Sequence, residues 1–143
     1  MRFTSTIEAQ RRLQAGWRWP HFSVPELACR CGGRFCDGAY WHDPAFLDGL
    51  SQMRTTLGRA MVITSGHRCR LWNAAVGGAP LSQHKKIAAD IWLGNHPDRQ
   101  AVLDAARKAG FTGLGLAQTF LHLDRRARPA IWTYEGSSHL WKR

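Results

Sequence analysis

The chain has 143 residues, enough for one domain with a real core and too few for two of comfortable size. Its 44% hydrophobic and 10% aromatic content fits a globular protein, and no apolar run approaches the roughly 20 residues of a membrane span, which excludes an integral helical membrane protein. The net charge is +10, and 16 of the 20 basic residues are Arg, a balance that favours a polyanionic partner such as an anionic polymer or lipid. The basic residues are spread along the chain without a clustered tract, so nucleic acid is not expected as the partner.

In chain order, Met1-Arg2-Phe3-Thr4 opens on a charged segment, so no secretory signal is expected and synthesis in a cytoplasm is. Thr4 or Ser5 caps a short helix that carries Ile7 and Leu13 and stops at Gly16. Ser23-Val24-Pro25-Glu26 reads as a capping box with Pro in the first turn and Phe22 as a staple. Residues 29–40 form a Gly- and Cys-rich loop. Asp43-Pro44 opens the clearest helix, with Phe46, Leu47, Leu50, Met53 and Leu57 on one face and Gly58 at its end. Residues 61–64 read as a buried strand, and residues 70–76 as a short helix closed by Gly77-Gly78. A second strand is expected over 87–93 and a second long helix over 97–109, stopped by Gly110. Residues 120–124 and 131–134, with 114–116, complete a set of short strands. Strands and helices do not alternate strictly, which points to an α+β fold.

Chemistry concentrates in a few places. His84 precedes the second strand, and Asp90 lies inside it among Ala88, Ala89 and Ile91, where a carboxylate is costly unless paired or metal-bound. His122 alternates with Leu121 and Leu123, and Asp124 shares its face. Two imidazoles and a carboxylate are the ligand set of a hydrolytic zinc ion, which keeps one position for a water whose pKa falls to about 7. Asp124 reads either as the carboxylate that orients a ligand imidazole or as a catalytic carboxylate. Arg68, in the Gly turn Ser65-Gly66-His67-Arg68, is placed to clamp a carboxylate or carbonyl.

Ser65-Gly66-His67-Arg68, Asn73 with Val76-Gly77-Gly78, Ser82-Gln83-His84, Ala89-Asp90 and Phe120-Leu121-His122-Leu123-Asp124 follow in one order. Together they resemble the zinc D-Ala-D-Ala carboxypeptidases and related peptidoglycan endopeptidases, whose fold is shared with hedgehog signalling domains. The resemblance covers residues 22 to about 134. It implies a small antiparallel sheet with helices packed on it, and a single zinc peptidase domain over 1–143, in which residues 1–20 are a helical extension. It further implies Zn2+ on His84, Asp90 and His122, with Arg68, Ser82 and His67 contacting substrate. The expected function is cleavage of peptidoglycan stems or cross-links by a monomer that acts on the cell wall, in a phage lysis or entry setting. A non-catalytic wall-binding or partner-binding module of the same fold is the alternative.

Two departures from that pattern carry expectations of their own. The family usually spaces its first His and the Asp seven apart with a Gly between; here the spacing is six, through Lys86-Ile87-Ala88. A one-residue deletion within a strand turns side chains to the other face, so the loop after His84 is expected to absorb it. The position three before His122, often an acid or His in relatives, is Thr119, which leaves Asp124, and less so Glu135, as the general base. Cys29, Cys31, Cys36 and Cys69 admit three readings: a disulfide joining Cys69 or Cys36 to the loop, a second structural zinc, or buried thiols. The absence of a signal favours thiols or metal.

Overall fold

The computed structural model describes residues 1–94 and 96–141. Strand β1 (Arg2–Phe3) pairs antiparallel with β2 (Tyr40–Trp41) and anchors the N-terminus beside the Cys loop. Between them lie α1 (Thr6–Leu13), capped by the Ser5 hydroxyl, and the single turn α2 (Val24–Leu27). Ser23 does not close the expected capping box; its hydroxyl bonds the Glu26 carboxylate at 3.0 Å rather than a backbone N–H. Ile7 is 75% exposed, so α1 faces the core with Ala9, which is buried, and Leu13, which packs against the core half-buried.

The long helix α3 (Pro44–Leu57) starts where the Asp43 carboxylate accepts from the backbone N–H groups of Ala45 and Phe46, and it ends at Gly58. Next come β3 (Ile63–Ser65), α4 (Arg70–Ala75), β4 (Ala88–Trp92) and α5 (Arg99–Lys108), the last capped by Asp98. Strands β5 (Gly113–Leu116), β6 (Phe120–Asp124) and β7 (Ala130–Thr133) follow, and a 3-10 turn over Ser138–Leu140 brings Trp141 into the core. β3 begins two residues later than its apolar run suggests, and Val62, ahead of it, is 52% exposed. The chain is α+β.

The main sheet has the order β3-β4-β6-β5-β7. It is antiparallel except at the β5–β7 edge, which is parallel. The period of two divides its residues between two faces. Ala89 and Ile91 of β4, Leu114 and Leu116 of β5, and Leu121 and Leu123 of β6 are buried in the main core with Phe46, Leu47, Leu50 and Met53 of α3 and with Val102, Leu103 and Ala106 of α5. Full burial of one such side chain is worth about 1.5–3 kcal/mol. Residues 1–20 belong to the same core rather than hanging from it: Phe3, Ala9 and Trp19 are buried there, and the Trp19 indole N–H bonds Asp48 of α3 at 2.8 Å. The sheet's opposite face carries Asp90, His122 and Asp124.

Candidate metal centre

β4 and β6 pair so that Asp90 lies directly opposite His122, which puts both side chains on one face. His84 reaches them from outside the sheet, on a 3-10 turn over Gln83–Lys85 in which the Ser82 hydroxyl accepts from the His84 N–H. His84 Nε2 is 3.1 Å from Asp90 Oδ1 and 3.1 Å from His122 Nδ1, and His122 Nδ1 is 3.2 Å from Asp90 Oδ1. All three residues are buried.

The short His84–Asp90 spacing is absorbed before the strand begins. The loop between them is held to the Arg-bearing turn by two bonds: the Arg68 N–H donates to the His84 carbonyl at 2.6 Å, and the His67 imidazole to the Lys86 carbonyl. Because His84 is not on the pleat, no side chain of β4 is turned over, and Asp90 keeps its face.

Hydrogen bonds fix what each imidazole presents to the centre. His84 Nδ1 lies 2.6 Å from the Gly66 carbonyl, and His122 Nε2 lies 2.7 Å from Asp124 Oδ2. A carbonyl and a carboxylate only accept, so each ring donates there and turns its other nitrogen inward as a lone pair. Two lone pairs and a carboxylate oxygen then face one another. Such a set repels itself and suits a cation. For bonds of about 2.0 Å to a tetrahedral zinc the ligand atoms would stand about 3.3 Å apart, close to the observed separations.

Electrostatics agree with that fit. Burial opposes charge on Asp90, yet the neighbouring His122 and His84 rings hold its carboxyl well below the usual range. Burial likewise opposes charge on His122, but Asp124 and Asp90 outweigh it and raise the imidazole above its ordinary value. A raised pKa keeps the proton to higher pH, and a metal must displace that proton. Zinc affinity, measured by competition with a chromophoric chelator, is therefore expected to rise steeply as pH climbs through and above about 6.5. An affinity unchanged from about pH 6 to 8 would contradict this coupling.

Asp124 is fully buried, between the Arg126 guanidinium at 2.6 and 2.9 Å and the His122 ring. Desolvation works against its charge, but the bonds from Arg126 and His122 keep it ionised far below the usual carboxylate range. Every lone pair aimed outward is occupied, and Asp124 has no face on the cleft. Of the two roles the sequence leaves open for it, this geometry matches the carboxylate that orients His122, and Asp124 does not line the cleft. Thr119 and Glu135 are exposed and do not line the cleft either.

The space for Asp124 and its neighbours comes from two glycines that sequence reasoning passed over. Gly113 pairs with Asp124 and Gly115 with His122, so both lie on the site face. A Cβ on Gly113 would stand 2.0 Å from Asp124 Oδ1, and one on Gly115 would stand 2.9 Å from the Trp132 ring. Trp132 backs His122 at 5.3 Å between ring centroids, and Arg126 lies over Trp132 at 4.6 Å. The period-two Gly-Leu-Gly-Leu of residues 113–116 was the available signal.

The centre opens into a cleft of about 490 Å³ lined by Arg68, Ser82, Gln83, Arg126, Trp132 and Tyr134 together with His84, Asp90, His122 and the 76–79 loop. Arg68 is held by Ser65 and Asn73, each at 3.3 Å, with Nη2 3.8 Å from Asp90 Oδ2. Asn73 also donates to the Ala79 carbonyl at 2.9 Å, which joins Arg68 to the glycine loop on the cleft wall. Ser82 lines the cleft. His67 does not; it is 2% exposed, and its ring bonds the Lys86 carbonyl in the loop after His84.

A family model described as peptidase M15 matches residues 20–124, which span His84, Asp90, His122, Arg68 and the strands that carry Asp90 and His122. The chain belongs to the peptidase M15 family. M15 peptidases are zinc-dependent, so peptide-bond hydrolysis with a metal is the activity class of this M15 chain, and the His84–Asp90–His122 triad is one of two groups among the described residues that could hold a metal ion. No curated protein matches the chain.

Proposed function

We propose that this M15 chain is a zinc peptidase that cleaves the peptide stems or cross-links of bacterial peptidoglycan, with His84, Asp90 and His122 as the metal ligands. The observation that carries the reading is the triad of inward-facing acceptors, each oriented by its own partner, at the floor of an open cleft beside a fixed arginine. The chemistry supplied by a zinc ion held there is Lewis acidity, which polarises a carbonyl and makes water nucleophilic near neutral pH.

The chain's own groups do the remainder. Arg68, with its guanidinium fixed by Ser65 and Asn73, binds a substrate carboxylate or the developing oxyanion. Asp124 holds His122 in one tautomer, and Gly66 does the same for His84. Ser82 supports the turn that presents His84. Trp132 and Tyr134 wall the cleft and limit water around the scissile bond. The +10 charge favours retention on anionic wall polymers or lipid, in keeping with a lysis or entry enzyme acting as a monomer.

A DD-carboxypeptidase needs the terminal carboxylate of its substrate, and an endopeptidase does not. Stem peptides with free and amidated termini separate the two. If Arg68 grips that carboxylate, Arg68→Lys loses about 10²-fold in kcat/KM on the free-terminus substrate, and wild type loses a similar factor on the amidated one. Equal turnover of both substrates by wild type assigns Arg68 to the oxyanion and the enzyme to internal bonds.

One observation favours a second reading, the non-catalytic binding module: among the described residues lining the cleft, Asp90 is the only carboxylate. Zinc binding at the triad together with wall binding, but without fragment release from purified peptidoglycan, would decide for it.

A further inference from the structure

Beyond the sheet face, four cysteines from two distant segments meet. The Sγ atoms of Cys29, Cys31, Cys36 and Cys69 all lie within 4.8 Å of one another, and Cys31 and Cys36 are 3.5 Å apart. Tetrahedral coordination with zinc–sulfur bonds of about 2.3 Å sets sulfurs about 3.8 Å apart. Three backbone N–H groups point at these sulfurs: Cys69 to Cys29 at 3.3 Å, Trp72 to Cys69 at 3.4 Å and Ala39 to Cys36 at 3.4 Å. Donors aimed at sulfur stabilise thiolates, the form that binds a metal.

The surroundings have the same need. Residues 29–39 contain no helix or strand, and the chain doubles back at Gly32 and Gly33. Besides the cysteines, the cluster at this loop holds only Ala39, with Trp72 packed against it. So small an apolar set cannot order eleven residues by burial, and segments of this kind are ordinarily stapled.

We propose that Cys29, Cys31, Cys36 and Cys69 hold a second, structural zinc ion in an all-thiolate site. It ties the 29–39 loop to the residue that both follows Arg68 in the chain and caps α4 through the Trp72 N–H. With four protein ligands the site has no open position, so its role is to fix the Arg68 turn and not to bind substrate. It stands independently of the peptidase reading, because it shares no ligand with the His84–Asp90–His122 centre.

The test is metal content on protein purified under reducing conditions. The expected stoichiometry is about two zinc ions per chain for wild type, about one for Cys31→Ser/Cys36→Ser, and about one for His84→Ala/His122→Ala. If the serine variant does not fold, cobalt substitution of the His84→Ala/His122→Ala protein replaces it. An intense thiolate-to-cobalt charge-transfer band, released with four titratable thiols on chelation, supports the site. Absence of that band, or an intact mass showing a cysteine pair already oxidised in the purified chain, overturns it. Loss of zinc only in the His variant, with the Cys variant unchanged, also overturns it. About one zinc in wild type, unchanged in the His variant and lost in the Cys variant, would instead overturn the peptidase reading and leave this one standing.

Discussion

His122→Ala is expected to reduce release of fragments from purified peptidoglycan by about 10³-fold or more, since Lewis-acid stabilisation is worth several kcal/mol and each 1.4 kcal/mol is about tenfold in rate. The imidazole removed is one of the three acceptors proposed to hold the metal, 3.1 Å from His84 and 3.2 Å from Asp90. Fold loss should not be the cause. Asp124 keeps Arg126 as its partner, and Asp90 keeps His84 and Arg68. The check pairs turnover with thermal melting: activity falls to background while the variant still unfolds cooperatively. A variant that retains a tenth or more of the wild-type rate would show that His122 is not a ligand.

Gly113→Ala is expected to damage the centre without touching any ligand. The added methyl would stand 2.0–2.4 Å from the Asp124 carboxylate, in a strand paired on both sides and unable to move away. Asp124 must shift, and with it the bonds to His122 Nε2 and Arg126. Overpacking of this kind costs about 1–3 kcal/mol. Loss of the partner that orients a ligand imidazole typically costs about 10- to 100-fold in metal affinity or activity. If the two effects share one cause, Gly113→Ala in an Asp124→Asn background will add much less than it does alone, a coupling a double-mutant cycle resolves. Full additivity would mean that the glycine acts through the backbone and not through the carboxylate.

Much of the fold could be read because local signals and burial agree. Asp43-Pro44 and Gly58 bracket α3, and Leu121 and Leu123 alternate with His122 and Asp124 so that one strand serves core and site at once. What could not be read depends on distant partners. Nothing local announces that Arg2–Phe3 pairs with Tyr40–Trp41, or that β7 joins β5 in parallel. The site shows the same division. His84, Asp90, His122 and Arg68 stand out by residue type and order, and the structure brings all four to one cleft. The tolerance of the short His84–Asp90 spacing depends on two bonds from the 67–68 turn. The two roles open to Asp124 turn on Arg126, whose guanidinium holds the carboxylate two residues along the chain. His67 carries a ring suited to substrate contact, and only the structure shows it buried against the Lys86 carbonyl.

The most direct measurement is the release of soluble stem-peptide fragments from purified peptidoglycan by the zinc-loaded chain, followed by mass spectrometry, with chelation and zinc restoration in the same preparation. The account predicts peptide-bond cleavage that stops on metal removal and returns with zinc. Zinc bound through His84, Asp90 and His122 with no bond cleaved in any wall chemotype would contradict it.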